Sequence, residues 1–184
     1  MAMPARIARD LAPSCTGLGS SAFDTLSNFA LTAFNTTLPN ANSTGTPLIL
    51  GDDLSYHEYR QSALTTYSYP YPTPNVTFNL EVGGLVANSE DSTAVSAVYS
   101  GYEFDFMTDS KGPVTPATIF CGVPSQDACG GNPVLAINGQ TNLFSICQRT
   151  GGNSFAEVVY NATSKNSGYD LSSCYSVELC IVSA

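Results

Sequence analysis

Two stretches of alternating apolar and polar residues constrain the fold of this chain more than any other feature. The apolar residues occupy every second position, at Phe78, Leu80 and Val82 in the first stretch and at Tyr102, Phe104 and Phe106 in the second. Side chains two residues apart in a β-strand point to the same face, so each stretch predicts a half-buried strand with one face in a core. Gly83-Gly84 follows the first stretch and favours a tight turn into another strand at residues 85–87.

Short apolar runs separated by turn residues continue along the rest of the chain. Residues 134–137 and 143–147 flank Asn138-Gly139, a dipeptide typical of a tight β-hairpin turn. We count about ten to twelve short strands, which predicts an all-β fold: a β-trefoil, or a related closed barrel or sandwich.

A weak internal similarity favours the trefoil among these folds. NFALTAFN, TFNLEVGG and NPVLAING begin at residues 28, 77 and 132, so they are 49 and 55 residues apart. Three units of nearly equal length would suit a β-trefoil. Any β-protein contains several such strands, so the barrel and the sandwich remain open.

The length of the chain, 184 residues, suits one domain with a substantial core. We expect residues 1–14 to form a flexible tail and residues 15–184 to form the single domain. No stretch approaches the roughly 20 apolar residues that would cross a bilayer. The first residues also lack the continuous apolar segment of a signal peptide, so we expect a mature chain from which that peptide has been removed.

Six cysteines predict three disulfides and an oxidising compartment, because neither CxxC nor Cys/His metal-binding spacing occurs. They are Cys15, Cys121, Cys129, Cys147, Cys174 and Cys180. Cys174 and Cys180 would lie about 20 Å apart in a strand, too far for a bond between them. The Gly- and Pro-containing segment between Cys121 and Cys129 can turn, which favours a bond between those two. Cys15 and Cys147 would then bond to the terminal strand.

Sequons and charge point to a secreted glycoprotein. Four sequons for N-glycosylation begin at Asn35, Asn42, Asn75 and Asn161. The net charge of -9 would repel nucleic acid and anionic membrane surfaces, so we expect neither as a partner.

No motif in the chain predicts catalysis, a metal or a cofactor. A Ser-His-Asp hydrolase needs a base beside its nucleophile, yet His57 is the only histidine and no GxSxG surrounds a serine. Glu103 and Asp105 have a spacing that could frame a glycosidic bond, but the outer face of any amphipathic strand looks the same. We therefore expect a protein that is not an enzyme, with no catalytic residues, no metal site and no cofactor.

A tyrosine- and proline-rich loop is the predicted contact surface for a partner. It runs from residue 67 to residue 74, and its candidate contact residues are Tyr67, Tyr69, Pro70, Tyr71 and Pro72. Proline restricts the backbone and tyrosine supplies a large contact area at a small entropic cost, which favours binding to another protein. Tyrosine can also stack on sugars, so a cell-wall or glycan-binding protein is the alternative, although the chain has no Trp.

The four sequons, the six cysteines, Arg9-Asp10-Leu11 and the series of strands resemble the small secreted proteins of filamentous fungi, including the effectors of plant pathogens. With a trefoil plan, the chain also resembles the fungal β-trefoil inhibitors of papain-like cysteine proteases. The resemblance implies a secreted, monomeric virulence protein that inhibits an extracellular host protease through surface loops. It covers the overall plan, so no inhibitory residue is carried over.

Overall fold

The computed structural model describes residues 10–56, 59–66, 76–88, 93–125, 128–151 and 155–184, with the backbone alone for residues 52–56. Two 3-10 turns, Pro13–Cys15 and Cys129–Gly131, occur in these ranges. The strands are β1 (Leu26–Asn35), β2 (Thr46–Tyr56), β3 (Tyr59–Thr66), β4 (Thr77–Glu81), β5 (Gly84–Asn88), β6 (Thr93–Ala94), β7 (Tyr102–Glu103), β8 (Asp105–Asp109), β9 (Phe120–Val123), β10 (Val134–Ile137), β11 (Phe144–Arg149), β12 (Ala156–Tyr160) and β13 (Tyr169–Ser183). None of the described residues forms a helix long and apolar enough to cross a membrane.

Nine of the strands close into an antiparallel barrel, in the order β1, β4, β5, β6, β8, β3, β12, β11 and β13, with β13 pairing back to β1. Of the others, β2 pairs with both β1 and β3, β10 joins β9 to β13, and β7 pairs with β12. Closure removes the unpaired strand edges that invite aggregation. The predicted all-β class and the closed barrel are confirmed.

The hairpin of β4 and β5 forms where the first alternating stretch predicts it. Phe78 and Leu80 are buried, and Leu80 pairs with Leu85 across the hairpin. The prediction is wrong for Val82, which is 51% exposed and has a φ of 52°. Val82 belongs to the turn with Gly83, so the alternation of the strand ends one residue earlier.

The second stretch forms two strands because the chain changes its partner at Phe104. The backbone N–H of Phe104 donates to the carbonyl of Val158, and its own carbonyl accepts from the N–H of Leu64. Phe104 and Phe106 are fully buried as predicted, but Tyr102 is 55% exposed. Tyr102 pairs with Tyr160, the last residue of β12, and therefore lies at the end of the barrel and not in its core.

A continuous set of aromatic rings fills the barrel. The ring of Phe104 lies 5.9 Å from the rings of Phe106 and Phe120 and 6.0 Å from that of Phe144, each at a nearly perpendicular angle. Edge-to-face contacts of this kind add to the stabilisation that burial alone provides. Through this one ring, Phe104 contacts β8, β9 and β11.

Three disulfides brace the barrel, but they join other cysteines than the predicted ones. Cys15 bonds to Cys121, Cys129 bonds to Cys180, and Cys147 bonds to Cys174. The predicted Cys121–Cys129 bond is wrong, and so is the bond of Cys15 to the terminal strand. Cys121 packs against the N-terminal 3-10 turn, whereas Cys129 packs beside β13. The predicted bond of Cys147 to the terminal strand and the absence of a Cys174–Cys180 bond are confirmed.

The turn at Asn138-Gly139 forms, but the predicted hairpin around it does not. Both residues have positive φ angles, 48° and 79°, and Ile137 bridges to Gln140. The flanking strands do not pair with each other, because β13 lies between β10 and β11 and pairs with both. The local turn was predictable, whereas the partner of each strand was not.

Candidate functional site

The predicted tyrosine and proline loop lies outside the described residues, as do Tyr67, Tyr69, Pro70, Tyr71 and Pro72. Thr66 and Val76, which bracket residues 67–75, are both buried. Val76 lines an apolar groove of about 430 Å³ with Leu31 and Leu48. Of the predicted N-terminal tail, residues 1–9 also lie outside the described ranges, whereas the backbone N–H of Ala12 donates to the buried Asp24.

Three of the four sequons lie within the described residues. Asn35 and Asn42 adopt the same local turn, in which the asparagine Oδ1 accepts from the backbone N–H and the hydroxyl of the threonine two residues later. Asn42 is exposed, and Asn161 donates from Nδ2 to the Ser100 hydroxyl at 2.7 Å. Asn75 lies outside the described residues.

The acidic residues considered for catalysis lie in two different strands. Glu103 lies in β7, which pairs with β12, whereas Asp105 lies in β8 opposite Ala63 of β3. His57 lies outside the described residues. Over the part of the chain that is described, no group of three or more His, Cys, Asp and Glu side chains is arranged to hold a metal ion.

A buried ion pair lies on the outer side of the barrel wall. The Glu157 carboxylate is fully buried, 3.7 Å from the guanidinium of Arg149, which also lies over the ring of Phe155 at 5.4 Å. The neighbours of Glu157 in β12, Ala156 and Val158, belong to the core inside the barrel. Removing the partner of a buried charge is costly, so the contact between Arg149 and the buried Glu157 restricts the arrangement of β11 and β12.

The most exposed aromatic side chains in the described structure form a pair at the turn that leads into β7. Tyr99 is 66% exposed and Tyr102 is 55% exposed, and their rings lie edge to face with centroids 6.2 Å apart. We call these two residues the aromatic pair. Exposed tyrosines of this kind bury a large area on binding and lose few rotamers.

The turn that carries the aromatic pair is hydrogen-bonded to the end of β12 and to the segment between β12 and β13. The backbone N–H of Gly101 donates to the carbonyl of Tyr160 at 2.7 Å, and the Asn166 side chain donates to the carbonyl of Gly101 at 3.0 Å. Gly101 has a φ of +83°, and a Cβ at this position would lie 2.7 Å from the Thr163 hydroxyl. Glycine is therefore required here both for the backbone conformation and for the close approach.

Tyr169 connects this turn to a disulfide. Its hydroxyl lies 2.8 Å from the carbonyl oxygen of Thr163 and 3.2 Å from that of Gly101, and it accepts from the N–H of Thr163. The ring of Tyr169 is buried beside Cys147 of the Cys147–Cys174 bond. The aromatic pair is thus presented on a braced turn, which reduces the entropy lost on binding.

The aromatic pair was not predicted, because the alternation of residues 102–106 assigned Tyr102 to the core. The segment Tyr99-Ser-Gly-Tyr102 places a turn residue between two tyrosines, and this signal could have indicated an exposed aromatic turn.

Comparison of the chain with protein-family models, curated proteins and solved structures found no match.

Proposed function

We propose that this chain is a secreted, non-enzymatic module that binds another protein through the aromatic pair. The observation that carries the proposal is the exposure of Tyr99 and Tyr102 on a turn held by hydrogen bonds from two neighbouring segments. Tyrosine is enriched among the residues that dominate interface energies. A braced turn with two exposed tyrosines is therefore better suited to contact a partner than to remain in contact with solvent alone.

A papain-like cysteine protease of the extracellular space, such as a host enzyme, is the first partner to test. Support comes from the resemblance to secreted fungal inhibitors and from three disulfides, which fit an extracellular protein. We also propose that the chain has a β-trefoil plan, that it is a monomer, and that it acts as an effector in virulence. The spacing of the three similar segments supports the trefoil, and the loop at residues 67–74 is a second contact in the proposal.

The test measures binding and inhibition separately. Wild-type protein and the Tyr99→Ser/Tyr102→Ser double variant are titrated into papain with a fluorogenic peptide substrate, and both are immobilised for capture from plant extracellular fluid. Truncation of one hot-spot tyrosine costs about 2 kcal/mol or more, and such costs are not additive, so the double variant should bind at least about thirtyfold more weakly. Tyr59→Ser is the matched control, because Tyr59 is also exposed, at 47%, on another strand.

Each outcome bears on one part of the proposal. A captured protease that loses activity on addition of the wild-type protein, but not of the double variant, supports both binding and inhibition. Equal affinity of wild type and double variant for the captured protein would show that the aromatic pair is not the contact. A partner that is bound without loss of protease activity would contradict inhibition alone.

Glycan binding is the second candidate, because the same exposed rings could stack on sugar faces. Stacking depends on the ring and not on the hydroxyl, so Tyr99→Phe should keep glycan binding while Tyr99→Ser loses it. A glycan array with these two variants separates the candidates. Strong array signals without a captured protein would favour the cell-wall function.

A further inference from the structure

A cavity of about 460 Å³ on the outer surface of the barrel combines apolar walls with a single described acidic side chain. We call it the Glu178 pocket. Its lining includes Phe34, Val123, Val134, Thr36, Ser125 and Glu178. Binding pockets for small groups usually have this composition, with apolar walls and a few convergent polar atoms.

Strand pairing builds the floor of the Glu178 pocket. Phe34 of β1 lies directly opposite Glu178 of β13, and Val134 of β10 lies opposite Cys180, two residues further along β13. Val177 and Leu179 belong to the core inside the barrel, so Glu178 points outward. The Cys129–Cys180 bond packs against Phe34 and Val123 and braces this floor.

The Glu178 carboxylate is partly buried in this pocket and makes no hydrogen bond or ion pair with any described side chain or backbone group. Burial raises the pKa of Glu178 above its ordinary value. None of the described lining residues is a lysine, arginine or histidine. A cation from outside would thus supply the interaction that the fold does not provide.

We propose that the Glu178 pocket binds the cationic side chain of a lysine or arginine from the partner protein. The apolar walls suit the aliphatic stem, and the carboxylate and the hydroxyls of Thr36 and Ser125 suit the N–H groups of its head. The net charge of -9 favours the approach of a basic surface. The identity of the partner as a protein rests on the proposed function, whereas the pocket's preference for a cation does not.

The pocket is tested with two small probes that share the four-carbon stem and differ in the terminal ammonium group, which only the lysine probe carries. Nα-acetyl-lysine methylamide and Nα-acetyl-norleucine methylamide are titrated into ¹⁵N-labelled protein, and the amide shifts of Phe34, Val123 and Glu178 are followed. The lysine probe should saturate these shifts, and the norleucine probe should bind about tenfold more weakly. Glu178→Gln should remove that difference, while Glu81→Gln, at an exposed glutamate outside the pocket, should keep it.

Three results with the probes would overturn the pocket's preference for a cation: equal binding of the two probes, an unchanged preference in Glu178→Gln, or shifts confined to other parts of the surface. The Tyr99→Ser/Tyr102→Ser variant separates this proposal from the proposed function. It should still bind the lysine probe, even if it no longer binds the partner. Full partner affinity in Glu178→Gln, together with loss in the tyrosine variant, would leave the proposed function intact and remove the pocket from the interface.

Discussion

Replacing Phe104 tests the idea that one buried ring stabilises the core by contacting three strands at once. Its side chain is fully buried, and its ring has three edge-to-face partners, in β8, β9 and β11. Its backbone also connects β12 to β3, through hydrogen bonds of 2.8 and 3.0 Å. Substitution leaves these backbone bonds in place, so the loss in stability reports on the side chain.

The expected loss follows from burial and from the ring contacts. Core Phe→Ala changes cost about 3–5 kcal/mol, and aromatic pairs contribute about 0.5–1.5 kcal/mol beyond burial. With three partner rings, Phe104→Ala should lie in the upper half of that range, at about 4–5 kcal/mol. Phe104→Leu keeps most of the volume and should cost about 1–2 kcal/mol.

Guanidinium unfolding of the disulfide-intact protein measures these losses through tyrosine fluorescence and circular dichroism, since the chain has ten Tyr and no Trp. Tyr102→Ala is the matched control, because Tyr102 belongs to the same alternating stretch but is exposed. It should cost less than about 0.5 kcal/mol. A loss below about 2 kcal/mol for Phe104→Ala, or equal losses for the two alanine variants, would refute the reasoning.

Three further predictions concern the disulfides, Glu178 and Gly101. Peptide mapping without reduction should recover a Cys15–Cys121 peptide, and a Cys121–Cys129 peptide would contradict the structure. Because burial raises the pKa of folded Glu178, the carboxyl group destabilises the fold as pH rises through that pKa. At neutral pH, Glu178→Gln should therefore be more stable than wild type by no more than about 1 kcal/mol. Near about pH 3 the two should be equally stable, because the wild-type carboxyl group is protonated in both the folded and the unfolded state. A difference in chemical denaturation that stays constant between these pH values would argue against this cause. Gly101→Ala should lower stability by about 1–2 kcal/mol in guanidinium unfolding. Gly112→Ala should be nearly neutral in the same measurement, because Gly112 has open space around it and no positive φ.

Much of the candidate site could not be predicted, because exposure depends on where the barrel ends. The alternation that places Phe104 inside also placed Tyr102 inside, yet Tyr102 lies beside the last residue of β12 and is exposed. For Glu178, the pattern of β13 predicts an outward side chain. Its partial burial comes from Phe34 in β1, far away in the chain.

The sequence by itself determined the features that neighbouring residues encode. Alternation with a period of two predicts where strands form, and Gly83 and Asn138-Gly139 predict turns between them. The six cysteines predict three disulfides. These features depend on side-chain direction and backbone freedom over a few residues, so they are readable without the rest of the chain.

Only the tertiary structure decided which strands and which cysteines meet. The insertion of β13 between β10 and β11 separates two strands that a tight turn joins, and it brings Cys180 to Cys129. Which strands pair depends on closing one barrel around a shared aromatic core, and that closure involves residues from the whole chain. The Gly- and Pro-containing segment between Cys121 and Cys129 favours a local bond, but the packing of Cys121 against Cys15 and of Cys129 against β13 gives each cysteine a different partner.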